Sequence, residues 1–245
     1  MYETLFHIGF FELKTFNLFL FIAISCSAWL LTALIRIQGL SVDFLMKRGL
    51  HLLLGAVVLG KVLFVIEHFS FISSSFIPLL ISLSFSRFGF LFGFFLGLYF
   101  WSQREKESFF PWFESFVMSG LVFLFFMHVG HFFNGTYYGT LTDLPWGIAF
   151  DSISIPFVNP IHPTQLYSAL ASLSIFIYAV RGFKRTHLPG VVGGLSVALY
   201  SLASLGIDFL RAEATLLTHC YYFICFLLGL LLYYLATRRT ISPTK

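Results

Sequence analysis

Seven long apolar runs, separated by short polar segments, dominate this chain of 245 residues. A run of roughly 20 apolar residues allows one helix to cross the hydrocarbon core of a bilayer. Charged residues make up only 11% of the chain, against roughly 25% in soluble domains, so a water-soluble fold would lack polar surface. The sequence therefore predicts an all-α, polytopic integral membrane protein with about seven transmembrane helices in a single domain, residues 1–245. The runs lie at residues 16–35, 50–66, 77–101, 113–133, 165–180, 191–210 and 219–236.

The distribution of lysine and arginine predicts the orientation of these helices. Eleven of the 15 lie in alternate connections, after the first, third, fifth and seventh runs. Because cytoplasmic loops carry an excess of lysine and arginine, we expect a cytoplasmic C-terminus and an N-terminus outside. The longest connection, residues 135–163, has neither residue type and is expected to form an external loop that is part of a functional site. The first run lacks the features of a removable signal peptide, so we expect it to be retained.

Several ionisable residues lie within or beside the apolar runs. A charge inside a membrane span costs at least about 2.5 kcal/mol on insertion scales, so each needs a partner or a function. Most would lie at mid-depth or in the outer half of their helices, which predicts one polar cavity open to the outer leaflet. For any single residue, pairing between helices is an equally good interpretation. The residues are Lys61, Glu67, Arg87, Glu114, His128, His131, Asp208 and Arg211.

Two pairs among these residues share a helix face, because their members are three positions apart. For His128 and His131 a hydrogen-bonded structural role is favoured over a metal site, since no third ligand stands at suitable spacing. Asp208 and Arg211 have two interpretations. They form a local ion pair, or the arginine is held in place to bind a phosphate or ester oxygen.

A dense polar string runs from the end of the fourth run to the start of the fifth. Its glycines, Gly135 and Gly139 among them, permit tight turns and close backbone approach. Pro163 fixes the entry to the fifth helix, where free backbone N–H groups suit an anionic headgroup. Polar residues here would cost stability in lipid unless they line a hydrated site.

These segments resemble the prolipoprotein diacylglyceryl transferases of the bacterial inner membrane. His-Pro-Thr-Gln-Leu-Tyr at 162–167 is similar to the family's His-Pro-Ser-Gln-Leu-Tyr, and Phe-Phe-Asn-Gly at 132–135 to its Asn-Phe-x-Asn-Gly signature. Tyr200 and residues 207–211 resemble its Tyr-x-x-x-Arg-x-x-x-Glu-Phe-Phe-Arg stretch. The resemblance covers most of the chain from about Gly55 onward.

The resemblance implies transfer of the diacylglyceryl group of phosphatidylglycerol to the lipobox cysteine thiol of a preprolipoprotein, releasing glycerol phosphate. The implied partners are phosphatidylglycerol, the lipobox peptide and membrane lipids, at a site on the outer side of the bacterial cytoplasmic membrane. We expect no cofactor and no metal, and no nucleic acid, because the basic residues are scattered. The implied catalytic residues are Arg87, His128, His131, His162, Tyr200 and Arg211. The implied substrate-binding residues are Asn134, Gly135, Gly139, Gln165, Tyr167 and Asp208.

The chain departs from the family pattern at five of its functional positions. Arg87 stands at a family histidine and His128 at a family arginine, which predicts an exchange: Arg87 holds the lipid phosphate, and His128 or His131 acts as base or donor. His131 stands at a family asparagine, Thr136 replaces a glutamate, and Ser204 replaces a second arginine. The alternative is therefore an inactive or altered paralogue that binds phospholipid as an accessory membrane protein. A small transporter is disfavoured because the halves show no repeat symmetry.

Overall fold

The computed structural model of the chain describes residues 4–8, 11–68, 81–82, 84–149, 159–185 and 188–239. Six of the helices in these residues, all but α3, are long and apolar enough to cross a membrane. A short antiparallel sheet precedes α1 and was not predicted. The prediction of an all-α polytopic membrane protein is otherwise confirmed. The elements are β1 (Thr4–Ile8), β2 (Phe11–Lys14), α1 (Thr15–Ile37), α2 (Val42–Glu67), α3 (Arg87–Arg104), α4 (Phe109–Asn134), α5 (Thr164–Arg185), α6 (Val191–Asp208) and α7 (Leu216–Arg238).

Each predicted apolar run corresponds to one helix, and the largest differences lie at helix starts. α2 begins at Val42, eight residues before the predicted apolar run. The predicted run begins later because charged residues such as Arg48 interrupt the apolar pattern in the first turns of the helix. Within the run predicted over 77–101, α3 begins at Arg87; residues 69–80 and 83 lie outside the described residues. Ser86 marks this start, since its side chain accepts a hydrogen bond from the Gly89 N–H (3.3 Å).

The chain divides into two compact units. Unit 1 comprises Met1–Leu34 and Glu114–Lys245, and unit 2 comprises Ile35–Phe113. The core of unit 1 forms where α1, α4, α5 and α6 pack together. Its buried residues are Leu34, Met118, Leu121, Ile175, Ala179 and Val192.

Glycines allow two pairs of helices to approach at backbone distance. In unit 1, a Cβ on Gly194 would lie 2.5 Å from the Tyr233 nitrogen. In unit 2, a Cβ on Gly89 would lie 2.6 Å from the Leu59 carbonyl oxygen, and one on Gly93 would lie 2.9 Å from the Ala56 Cα. Small residues at helix crossings are how membrane helices gain van der Waals contact without a hydrophobic driving force. Packing against α2 therefore explains why positions 89 and 93 are glycines.

Glu114 is buried (2% exposed) and caps α6. Its Oε2 accepts hydrogen bonds from the backbone N–H groups of Gly190 (2.9 Å), Val192 (3.1 Å) and Gly193 (3.1 Å). These donors belong to the first turn of the helix, and the N-cap residue Gly190 has no side chain that can accept them. The carboxylate therefore stabilises a helix end.

We expect Glu114→Gln to lower the thermal unfolding midpoint in detergent. A neutral amide oxygen is a weaker acceptor for three N–H groups than a carboxylate, and the difference is about 2 kcal/mol. Glu213→Gln, at an exposed position between α6 and α7, is the control and should leave the midpoint unchanged. Equal midpoints for the two variants would contradict the capping role.

Candidate functional site

Four helix ends of unit 1 meet around the residues that the sequence singled out: the C-terminal ends of α4 and α6 and the N-terminal ends of α5 and α7. The loop after α4 joins them through its backbone. The Gly139 N–H donates to the His162 carbonyl (3.1 Å), the His162 N–H to the Thr140 carbonyl (2.9 Å), and the Thr140 N–H to the Leu210 carbonyl (2.8 Å). The loop therefore lies between the segment that enters α5 and the segment that leaves α6.

Gly139 occupies a position in this loop where no side chain fits. A Cβ there would lie 2.6 Å from the His162 Cβ and 3.0 Å from the Leu210 carbonyl oxygen.

We expect Gly139→Ala to displace the loop, to lower the thermal unfolding midpoint and to expose the loop to limited proteolysis. Gly206→Ala is the matched control, because nothing lies within 4 Å of its added Cβ. Unaltered proteolysis of the Gly139 variant would refute this close packing.

Arg211 is the anchored cation of the site and is only 7% exposed. Its Nη1 donates to Asp208 Oδ1 (3.3 Å) and to the Tyr222 hydroxyl (3.5 Å), and its Nη2 donates to Ser168 Oγ (3.1 Å). The Tyr137 ring lies 5.5 Å from the guanidinium carbon. The Nε atom is buried and has no hydrogen-bond partner among the described residues. A donor of a fixed, buried guanidinium is thus left for a bound group.

Asp208 holds Arg211 in place and is itself held by α7. It is 1% exposed, and its Oδ2 accepts a hydrogen bond from Thr218 Oγ1 (2.6 Å). Thr218 also forms a capping box with Thr215 at the start of α7, so its position is fixed by the helix end. His219 Nε2 lies 3.5 Å from the same carboxylate oxygen. The ion pair predicted from the spacing of Asp208 and Arg211 is therefore present and buried.

His128 and Tyr200 form the second polar pair. His128 Nε2 lies 2.9 Å from the Tyr200 hydroxyl, which joins α4 to α6. Ser172 and Ser204 are further polar neighbours of that hydroxyl. Ser204, which stands where the family pattern has an arginine, is 4% exposed. Because imidazole and phenol both donate and accept, the pair can pass a proton in either direction.

His131 and Gln165 belong to a third set, centred on Thr136. His131 Nδ1 lies 2.8 Å from Thr136 Oγ1, and the His131 ring packs edge-on against Tyr137 (4.6 Å between centroids). Gln165 is fully buried and donates its Nε2 to the Thr136 carbonyl (2.8 Å). Tyr137 touches both His131 and Arg211, so this set and the Arg211 cluster are neighbours.

His162 and Tyr167 share a contact at the start of α5. The Tyr167 hydroxyl accepts a hydrogen bond from Trp146 Nε1 (2.9 Å) and lies 3.4 Å from His162 Nδ1. Asn134 is the last residue of α4. Gly135 follows it with a φ of 68°, a left-handed conformation that commonly ends helices. Gly135 thus has a structural reason to be glycine.

Within unit 1, the structure gathers four of the five ionisable residues singled out from the sequence into one place. His128, His131, Asp208 and Arg211 lie at the converging helix ends, whereas Glu114 caps the opposite end of α6. Lys61, Glu67 and Arg87 belong to unit 2.

In unit 2, the Lys61 ammonium donates to Ser82 Oγ (3.0 Å), and Glu67 accepts from Ser86 Oγ (2.6 Å). A structural role through pairing, the alternative to a functional role, therefore fits Lys61 and Glu67. Arg87 is exposed at the first position of α3, with its guanidinium carbon 5.1 Å from the Phe88 ring.

Several site residues were missed from the sequence. Ser168 had a usable signal, because it lies three positions after Gln165 on the same helix face. Thr218 had another, the Thr-x-x-Thr spacing at the start of α7. Tyr137, Tyr222 and His219 carried no local signal, since tertiary packing alone brings them to Arg211 and Asp208.

The family model of prolipoprotein diacylglyceryl transferases matches residues 3–240. The chain belongs to this family. Curated relatives are named phosphatidylglycerol–prolipoprotein diacylglyceryl transferases. One from Rhizobium leguminosarum bv. trifolii is 36% identical over 95 residues, which is 36% of this chain and 32% of the relative. One from Nitratidesulfovibrio vulgaris is 38% identical over 89 residues, with the same coverage. One from Geobacter sulfurreducens is 34% identical over 125 residues, 47% of each chain.

The chain thus covers between 32% and 47% of the length of these diacylglyceryl transferases. The resemblance predicted from the motifs is confirmed, and the protein is a multi-pass membrane member of the diacylglyceryl transferase family.

Proposed function

We propose that this family member transfers the diacylglyceryl group of phosphatidylglycerol to the lipobox cysteine of a preprolipoprotein. The observation that carries the proposal is the buried Arg211, which is held by three side chains and keeps Nε unpaired among the described residues. Such an arginine suits a phosphate oxygen, because a preorganised cation needs no rearrangement when charge develops.

The reaction moves negative charge from sulfur to phosphate. The thiolate sulfur forms a bond to the glycerol carbon that bears the phosphate, and the bond from that carbon to oxygen breaks. Its electron pair leaves with the oxygen, giving glycerol phosphate and a thioether-linked diacylglyceryl group, while the thiol proton passes to a base. A fixed cation at the phosphate and a base at the thiol therefore lower the barrier.

We assign roles to the site residues on this basis. Arg211 binds the phosphate, and Asp208 acts as its positioning residue. His128 takes the thiol proton, with the Tyr200 hydroxyl as its hydrogen-bonded partner.

The remaining site residues are assigned to substrate contact. His131 and His162 are proposed to contact the reacting groups from the loop side. The residues proposed to line the substrate are Asn134, Gly135, Gly139, Gln165 and Tyr167.

The proposed site faces the outer side of the bacterial cytoplasmic membrane. Support comes from the charges at the two ends of unit 1. The converging helix ends carry a loop with no lysine or arginine in residues 135–163. The opposite ends of α5 and α7 carry Lys184 and Arg185, and Arg238, in their last turns. Excess positive charge marks cytoplasmic ends, so the site end is external and the N-terminus lies outside.

Purified protein in phosphatidylglycerol vesicles provides the test. A lipobox peptide is added and then analysed by mass spectrometry, with a Cys→Ser peptide as the control. The expected result is a diacylglyceryl adduct on the cysteine peptide alone.

The alternative, an accessory phospholipid-binding protein, is favoured by His128 and Ser204, which stand at family arginine positions. Retained phospholipid without any adduct would support that alternative.

The exchange between Arg87 and His128 has its own test. If Arg87 holds the lipid phosphate, Arg87→Ala should lower transfer at least about 10-fold while the protein still inserts, because a charged hydrogen bond to the donor is lost. Arg104→Ala, at the other end of α3, is the control for loss of a helix-end arginine. Unchanged transfer by the Arg87 variant would rule the exchange out.

A further inference from the structure

The orientation of the Gln165 side chain is fixed by its surroundings. Its Nε2 donates to the Thr136 carbonyl (2.8 Å), and a carbonyl oxygen only accepts, so the amide cannot be reversed. The Oε1 atom therefore faces away from Thr136. It is buried in a side chain with no exposed surface, and it has no hydrogen-bond partner among the described residues. A buried acceptor in this state costs free energy unless a donor reaches it.

A buried donor without a partner lies in the adjoining cluster. Arg211 Nε is also unpaired among the described residues, and Arg211 is fixed by Ser168, which lies three positions after Gln165 on the same face of α5. Thr164, next to Gln165, donates to the Tyr137 carbonyl (2.7 Å), and the Tyr137 ring lies against Arg211. The two unpaired atoms thus belong to one packed group, and they differ in type: one accepts and one donates.

We propose that Gln165 is a specificity-determining residue that accepts a hydrogen bond from a headgroup hydroxyl, while Arg211 Nε donates to the phosphate of the same lipid. This inference rests on the proposed function and names the part of the donor that the site distinguishes. The matching chemistry is a phosphate diester whose leaving half carries a hydroxyl, as in a glycerol headgroup. An ammonium headgroup would also donate to Oε1, but it would place a second cation in the cluster that already holds Arg211.

The first measurement compares two lipids of equal charge with the unmodified protein. Phosphatidylglycerol and phosphatidylpropanol are both monoanionic phosphate diesters, and only the first has headgroup hydroxyls. We expect transfer and lipid retention, the latter followed by native mass spectrometry, to favour phosphatidylglycerol about 10- to 100-fold. That factor corresponds to leaving a buried acceptor unpaired. Equal transfer from both lipids would overturn the inference while leaving the proposed function intact.

The second measurement uses variants. Gln165→Leu should lose the preference by slowing transfer from phosphatidylglycerol alone, whereas Gln103→Leu, at an exposed position near the end of α3, should keep it. If Gln165→Leu does not fold, the comparison of lipids with the unmodified protein still decides. A Gln165→Leu variant that folds and keeps the full preference would overturn the inference.

Two further outcomes separate this inference from the proposed function and from a soluble ligand. If neither lipid supports transfer, but phosphatidylglycerol is retained preferentially and Gln165→Leu removes that preference, the proposed function fails and the inference stands. The second outcome concerns a soluble ligand. Free glycerol phosphate carries the phosphate and hydroxyls of the phosphatidylglycerol headgroup but has no acyl chains. It is expected to displace bound lipid only at concentrations at least 10-fold above those of phosphatidylglycerol. Displacement at equal concentration would overturn the assignment to a lipid headgroup.

Discussion

Replacing Arg211 by lysine is expected to lower the rate of diacylglyceryl transfer about 100-fold, although the positive charge is kept. The guanidinium uses Nη1 and Nη2 to hold Asp208 and Ser168 and has Nε left for the phosphate. A lysine ammonium is a single point charge and cannot place donors at all three of these guanidinium positions. Loss of one preorganised donor at a developing charge typically costs on the order of 10²- to 10³-fold in rate.

Lysine is a more informative replacement than alanine at this position. Asp208 is 1% exposed, and alanine at 211 would leave its buried carboxylate without a cation, at a cost of about 3–5 kcal/mol. A loss of stability of that size would lower the rate through misfolding as well as through lost catalysis, and the rate alone would not separate the two. The rate in phosphatidylglycerol vesicles is therefore read together with the thermal unfolding midpoint. Arg181→Lys, at an exposed position on α5, is the control. More than half of the unmodified rate in Arg211→Lys would exclude the assigned role.

The membrane fold could be predicted from the sequence because it depends on local composition. A helix in lipid satisfies its own backbone hydrogen bonds, so an apolar run of sufficient length is nearly enough to specify one. The exceptions fall where polar residues enter helices, at the start of α2 and at Ser86, the N-cap residue before α3.

The candidate site was predictable only where its partners are close in sequence. Asp208 and Arg211 are three positions apart and form the ion pair that their spacing predicts, although α6 ends at Asp208 and Arg211 follows the helix. His128 and Tyr200 are 72 positions apart, so only tertiary packing brings them together.

The expectation of a single cavity treated all intramembrane charges alike, and Glu114 shows the flaw. Its carboxylate accepts three backbone hydrogen bonds at a helix start 76 to 79 positions away. Hydropathy cannot distinguish a charge that caps a helix from one that faces a substrate, because both interrupt an apolar run. Partners decide the difference: Glu114 is paired with backbone donors, whereas Arg211 keeps one buried donor unpaired among the described residues.

Removing the Tyr200 hydroxyl is expected to have the second large effect. Tyr200→Phe should lower transfer about 100-fold while phosphatidylglycerol is still retained, because general acid–base groups typically contribute 10²- to 10⁴-fold. The hydroxyl is the observed partner of His128 Nε2 at 2.9 Å, so its loss leaves the proposed base without the group that orients it. Phe keeps the ring and its packing, which limits the effect on stability.

Three measurements separate this catalytic role from a structural one. Peptide adduct formation gives the rate, native mass spectrometry gives retained phosphatidylglycerol, and the thermal midpoint reports folding. Tyr178→Phe, at an exposed position on α5, is the matched control and should leave all three unchanged. A Tyr200→Phe variant that loses bound lipid in proportion to its rate would assign the hydroxyl to binding. Retention of lipid with a slow reaction is the result that acid–base chemistry at the His128–Tyr200 pair requires.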